Sequence, residues 1–246
     1  METKEKSIKA KIREKIVPII FVSVIVITII VVESSDQFRE MAPPIEFETV
    51  NFGSHSWLVL ERQGDRMLLL SEYILFEMAY SSRRNINTWE ESSLREYLNH
   101  DFFYTFAPEE RALIISVINE NLDNPRFGTD GGNDTEDVIF ILSLNEILKY
   151  FGDSGNRRSN GSLINDIYNT RRLTRNTSGN YLNQWWVRTP GSEDRRVVFV
   201  SQGGWGTNRG SIQIGGGRRT PMSLGTIVTS SDVGVRPAMW VMIDGS

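Results

Sequence analysis

The feature that most limits what this chain can become is a run of seventeen uncharged residues, Ile16 to Val32, reading IVPIIFVSVIVITIIVV. As a helix it is about 26 Å long, close to the roughly 30 Å hydrocarbon core of a bilayer. Lys15 can carry its charge up to the near headgroups, and Pro18 falls near the start, where a missing N–H costs least. Residues 1–15 hold six Lys and Arg against three Glu, a balance of +3, whereas the far flank has Glu33, Asp36 and Glu40 against Arg39. Positive charge stays in the cytoplasm, so the reading is a single-pass protein of the cell membrane with a cytoplasmic N-terminus and an extracellular body. A cleaved secretory signal has an apolar region of ~7–15 residues and an A-x-A-like site. The run here is longer and continues into ESSDQF, which favours an uncleaved signal anchor. Cleavage and a buried core helix are the alternatives.

Residues 33–45 are polar, contain Pro43-Pro44, and read as a short semi-rigid spacer. No second linker follows, so residues 46–246 are expected to form one domain. The full chain of 246 residues has a net charge of −4; removing the +3 tail leaves −7 for the rest. A nucleic-acid partner is excluded on that balance, since binders of phosphate backbones carry a basic excess. The chain has no cysteine and two histidines, His55 and His100. Disulfides, thiolate metal sites, iron–sulfur clusters and cysteine nucleophiles are thereby ruled out. The expected cofactor list is empty, and no metal site is expected.

The first half of the domain mixes strands and helices. Trp57–Leu60 and Met67–Leu70 flank Gln63-Gly64-Asp65, a hairpin signal. Thr88, with Glu91 three residues later, reads as an N-cap before Leu94, Tyr97 and Leu98. Pro108-Glu109-Glu110 opens a short helix, and Ile114–Ile118 is β-rich. Ser143 with Glu146 is a second capping box, whose helix runs to a C′ glycine at Gly152. Residues 153–184 are rich in Asn, Arg, Ser and Gly and read as long loops. Beyond them come short β-type runs at Trp185–Val187, Val197–Ser201, Ile212–Ile214, Thr226–Thr229 and Met239–Met242, punctuated by glycine. The class is α+β.

Several segments together carry a resemblance. Trp57-Leu-Val-Leu60, Leu68-Leu-Leu-Ser71, Thr88-Trp89-Glu90, Leu94-Arg-Glu-Tyr-Leu-Asn99 and Tyr150-Phe-Gly152 precede Trp185-Trp-Val-Arg-Thr-Pro-Gly191 and Gly234-Val-Arg-Pro-Ala-Met-Trp240. Over residues 50–242 the chain resembles a bacterial family known as domain of unknown function 6273, found in surface proteins of Gram-positive gut bacteria. That resemblance implies a fold and a location more than a chemistry. The C-terminal third is also similar to the C-type-lectin-like fold of formylglycine-generating enzymes and of the variable proteins of diversity-generating retroelements. It shares their order of a tryptophan strand, a glycine-rich hairpin region and a final R-P strand. The enzyme branch uses cysteines, which are missing here. The E-P-N, Q-P-D and W-N-D motifs of calcium-dependent sugar-binding lectins are missing too.

Trp185 and Trp186 are adjacent, so on a strand they face opposite ways; one is expected in the core, and Trp186 is a candidate to line a groove. Trp205, Asn208, Arg209 and Arg218 sit on glycine-rich hairpin tips and are the other candidate ligand contacts. Trp185, Arg188, Pro190, Gly191, Arg236, Pro237 and Trp240 are expected to be structural, the arginines by donating to backbone carbonyls. The loop Asp130–Asp137 gathers oxygen ligands without calcium-loop spacing and reads as a solvated acidic loop. Arg171, Arg172 and Arg175 read as a solvated basic cluster. With no catalytic set visible, the expected function is recognition of a glycan or a surface protein. A carboxylate-based hydrolase and a structural subunit of an envelope assembly are the alternatives.

Overall fold

Strand β1 (Thr49–Phe52) lies antiparallel to β2 (His55–Gln63), which turns at Gly64-Asp65 into β3 (Arg66–Ser71). Gly64 adopts φ +61 in that turn, a conformation that favours glycine. The hairpin contains a bulge between Val59 and Glu61. An extra residue reverses the alternation of side chains. Glu61 therefore falls opposite Leu68, on the face that carries Leu58 and Leu70, while Trp57 and Val59 are buried on the other face.

The structure is a computed structural model that describes residues 42–158, 161, 163–180, 184–202, 209–214 and 227–243. The expected tail 1–15, the transmembrane segment 16–32 and most of the 33–45 spacer lie outside the described residues. Among the described residues no helix is long and apolar enough to cross a membrane.

After β4 (Phe76–Glu77) comes a short helix α1 (Ser93–Tyr97), continued by one π-helical turn over Leu98–Phe102. Its cap is Ser92, whose side chain accepts from the Arg95 amide at 3.1 Å. The sequence pattern pointed instead to Thr88, whose hydroxyl is buried without a partner among the described residues. The neighbouring Trp89 decides the outcome: it is fully buried and donates its indole N–H to Asp137 at 2.9 Å, which holds residues 88–91 out of the helix.

Helix α2 (Pro108–Arg111) starts at its proline, and Glu110 reaches back to the Ala107 amide at 2.8 Å. Strands β5 (Ile114–Ile115), β6 (Val117–Asn119) and β7 (Thr135–Asp137) follow. Helix α3 (Leu144–Phe151) is closed by the reciprocal Ser143–Glu146 cap, at 2.6 and 3.3 Å, and ends at Gly152 with φ +99.

The segment read from composition as loop contains two short strands, β8 (Arg157–Arg158) and β9 (Leu163–Ile164), and a 3₁₀ turn at Asn169–Arg172. Strands β10 (Gln184–Pro190), β11 (Val197–Ser201), β12 (Ile212–Gln213), β13 (Gly234–Val235) and β14 (Ala238–Met242) complete the chain. No strand is described at 226–229; Ile227 makes one antiparallel bridge to Arg196, and Thr226 lies outside the described residues.

The strands form a five-stranded sheet, β1-β2-β3-β14-β5, a seven-stranded sheet, β4-β13-β10-β11-β12-β9-β8, and the pair β6-β7. The fold is α+β, mostly sheet with few helices. In the seven-stranded sheet β10 is interior, paired parallel to β13 and antiparallel to β11. Both of its faces are covered, so Trp185 and Trp186 are buried alike. Around them Trp57, Tyr80, Trp89, Phe140 and Phe151 fill the core, with Tyr80 edge-on to Trp186 at 5.6 Å.

Candidate functional site

Three arginines are buried among the described residues, and each is handled differently. Arg172 meets Asp166 at 3.0 Å and donates to the Gly152 carbonyl at 2.7 Å. Arg188 meets Glu146 at 3.0 Å and donates to Asn121 Oδ1, to the Ile141 carbonyl and to the Glu120 carbonyl. Arg236 sends Nε and Nη2 to the Ser71 carbonyl, at 3.1 and 2.8 Å, and Nη2 also to the Glu72 carbonyl at 3.4 Å. Its guanidinium lies over the rings of Trp185, at 5.1 Å, and Phe151, at 6.0 Å. Among the described residues it has no carboxylate at ion-pair distance. Burial pushes its pKa down to about 9, opposed by the charge of Glu72, so it stays cationic at neutral pH.

Arg236 lines a broad cleft of about 650 Å³. One wall comes from the segment before β1, with Glu46 and Phe47, and from the sheet face carrying Thr49 and Leu58, which are paired partners on β1 and β2. Glu72 and Tyr73, just beyond β3, form a second side. Opposite them stands the 170–175 segment, with Thr170, Arg171, Thr174 and Arg175. Phe47 meets Phe151 edge-on at 5.6 Å, which ties the wall to the end of α3. Tyr73 is 36% exposed, and the charge of Glu72, then its hydrogen bond, raises the phenol above its usual value. Arg171 donates Nε to the Pro43 carbonyl at 2.8 Å and lies over Tyr168 at 4.7 Å. Arg171, Arg175 and Arg236 thus share the lining of one concavity with Glu46 and Glu72 in a chain of net charge −4.

The basic cluster read from the sequence as solvated is split by the fold. Arg172 is sealed in the core, while Arg171 and Arg175 line the cleft. The cleft itself was not visible in the sequence, because its lining comes from distant segments and only the topology joins them. The one local signal was the R-R-x-x-R spacing of Arg171, Arg172 and Arg175.

Trp186 does not line a groove: it is fully buried and donates its indole N–H to the Met78 carbonyl at 2.8 Å. Arg209 is half-buried, with Nε donating to the Gln202 carbonyl at 3.1 Å. Trp205, Asn208 and Arg218 lie outside the described residues.

Trp185 donates to the Arg172 carbonyl at 3.3 Å. The Pro190 carbonyl accepts from Asn124 at 2.7 Å, and the Pro237 carbonyl from the Ser71 amide at 2.9 Å. A Cβ on Gly191 would come within 2.7 Å of the Arg196 Cβ and 2.8 Å of its backbone. Trp240 is half-buried under the Arg66 guanidinium, 4.9 Å away.

The acids of the 130–137 loop take separate partners instead of converging. Asp130 accepts from Gly132, Asp134 from the Asn121 amide, and Glu136 from Ser116. Asp137 is buried and accepts from Trp89, Arg95, Asn99, Asn119 and Thr135. Among the described residues no group of three or more His, Asp or Glu is placed to hold a metal ion. His55 sits between the rings of Trp57 and Phe102, and burial lowers its pKa; His100 contacts Tyr104.

A family model described as Domain of unknown function (DUF6273) matches residues 64–243. No curated protein and no solved structure matches the chain.

Proposed function

Since this chain belongs to the DUF6273 family, a name without an activity, function has to be argued from its own residues, and we propose that it is a membrane-tethered extracellular recognition protein whose ligand seat is the 650 Å³ cleft. The observation that carries this reading is the composition of the cleft. Aromatic surface at Phe47 and Tyr73, hydroxyls at Thr170 and Thr174, and charges of both signs converge on one concavity. Such a lining is how a site fixes a polar ligand: flat rings supply contact area, and a few placed polar groups supply orientation. The uncharged run 16–32 and the basic tail before it support anchoring with the domain outside. The C-type-lectin-like assignment belongs to the same proposal. It is supported by chain order, with the tryptophan strand β10 followed by β11 and β12 and then by Arg236-Pro237 between β13 and β14. Trp205, Asn208, Arg209 and Arg218, read from the sequence as candidate ligand contacts, are the rival proposal.

The test is a binding screen of the full chain in detergent micelles against envelope and host glycans and surface proteins, run with Tyr73→Ala and Trp205→Ala. The cleft reading expects Tyr73→Ala to lose most of the signal and Trp205→Ala to keep it. The reverse result moves the site to the hairpin tips, and no binding by wild type defeats recognition altogether. One observation favours a second reading, a carboxylate-based hydrolase: Glu46 and Glu72 both line the cleft. Turnover of a wall or host polymer that is abolished in Glu46→Gln and in Glu72→Gln would establish it in place of recognition.

A further inference from the structure

The buried arginines set up a comparison. Burying a guanidinium is costly unless it is paired, because the charge leaves water for a medium of low polarisability. Arg172 and Arg188 each have a carboxylate at 3.0 Å. Arg236 is buried as deeply, at 2% exposure, and among the described residues has only two backbone carbonyls and two ring faces. Those contacts use Nε and Nη2. Nη1 has no hydrogen-bond partner among the described residues, and it is not one of the sealed orphan atoms of the core. Because Arg236 lines the cleft, this remaining donor is offered to whatever the cleft holds.

The charges around it narrow the ligand's chemistry. Arg171 and Arg175 add two cations at the wall, and Glu46 and Glu72 subtract two. The local balance of +1 suits one negative charge, whereas a dianionic phosphate or sulfate cluster would meet two carboxylates. The same carboxylates, with the threonine hydroxyls, can hold ligand hydroxyls, and the exposed ring of Tyr73 can stack on a sugar face. A carboxylate oxygen is also the acceptor that makes the strongest hydrogen bond to the remaining Nη1 donor, because both partners are charged.

We propose that the cleft binds an acidic saccharide, and that the carboxylate of a uronic-acid residue docks on Arg236 as the ion-pair partner that the described residues do not supply. This rests on reading the cleft as a ligand seat. The test is isothermal titration of the full chain in detergent micelles with glucuronate- and galacturonate-containing oligosaccharides. The controls are their methyl esters and the neutral oligosaccharides of the same length.

The acidic probe is expected to bind at least tenfold more tightly than its methyl ester, with the protein unaltered, so folding does not enter the comparison. Arg236→Lys, which keeps a charge but loses Nη1, is expected to narrow that ratio to about threefold or less in protein whose circular dichroism spectrum matches that of wild type. Equal binding of acid, ester and neutral sugar overturns the carboxylate assignment and leaves glycan recognition standing. Binding of a carboxylate-terminated peptide but of no saccharide overturns it in favour of a peptide ligand. If no probe binds, the assignment falls together with the cleft reading.

Discussion

Replacing Asp137 by alanine removes the acceptor that joins five side chains. The carboxylate takes hydrogen bonds from Trp89 Nε1 at 2.9 Å, Arg95 Nε at 2.6 Å, Asn99 Nδ2 at 3.3 Å, Asn119 Nδ2 at 2.9 Å and Thr135 Oγ1 at 2.7 Å. Not all five donors suffer equally. Arg95 keeps 27% of its side chain exposed and can rehydrate. Asn99 Nδ2 retains the Arg95 and Ile139 carbonyls. Trp89, Asn119 and Thr135 are sealed from solvent and lose their acceptor. A buried donor left unpaired costs about 1–2 kcal/mol, towards the low end of the usual range, so three of them give about 3–6 kcal/mol. That is a large share of the ~5–15 kcal/mol that holds an ordinary domain. Urea unfolding followed by tryptophan fluorescence measures it. At a slope of about 2–3 kcal/mol per molar, Asp137→Ala lowers the midpoint by about 1–3 M with the slope unchanged. Glu136→Gln, on the exposed neighbour that bonds Ser116, shifts it by no more than about 0.3 M. A shift for Asp137→Ala as small as that of the control would mean that the donors find other partners and that the hub is not a structural centre.

Two further outcomes follow from local geometry. Glu61 is bound by Lys149 and Tyr150, and their hydrogen bonds hold its pKa at about 2, below the ordinary carboxylate value of 4.5. A depressed carboxyl stabilises the fold above its unfolded pKa and loses that contribution as pH falls through the folded one. The stability difference between wild type and Glu61→Gln, followed by urea unfolding, is therefore constant above about pH 5 and shrinks between about pH 5 and 2. A gap that widens on acidification contradicts it. The glycines give a paired test. At Gly210 φ is +77 and a Cβ would come within 1.8 Å of the Asn169 carbonyl oxygen, whereas at Gly64 φ is +61 in open space. Alanine at 64 costs about 1 kcal/mol in thermal or urea unfolding, and alanine at 210 costs well over about 3 kcal/mol. Equal costs would refute the close approach.

What could be read from the sequence was what is decided locally. The Ser143–Glu146 box caps α3 because both of its members lie within one turn, and the Gln63-Gly64-Asp65 signal marks the β2–β3 turn. The Thr88 pattern was equally local but lost to tertiary bonding, because Trp89 has its partner on a strand far along the chain. Residues 153–184 looked like loop since their composition is polar. Yet Asp166, Asn169 and Arg172 hydrogen-bond one another inside the core, and no windowed pattern detects polar groups that are buried in mutual pairs. A groove position for Trp186 requires a strand with one open face, and both faces of β10 are covered. The cleft was illegible for the same reason: Phe47, Tyr73, Arg171 and Arg236 are neighbours only in the folded chain.

Strand β14 pairs with β3 on one side and β5 on the other, although it comes last in chain order among the described strands. Until it arrives, the N-terminal hairpin and β5 have no shared partner, and Arg236, two residues before β14, cannot reach the Ser71 carbonyl. The five-stranded sheet therefore closes only when residues as far apart as 49 and 242 have met. Contacts this distant in sequence also form slowly. Until then β3 and β5 keep bare strand edges, so the incomplete sheet is the form most open to pairing with a second chain.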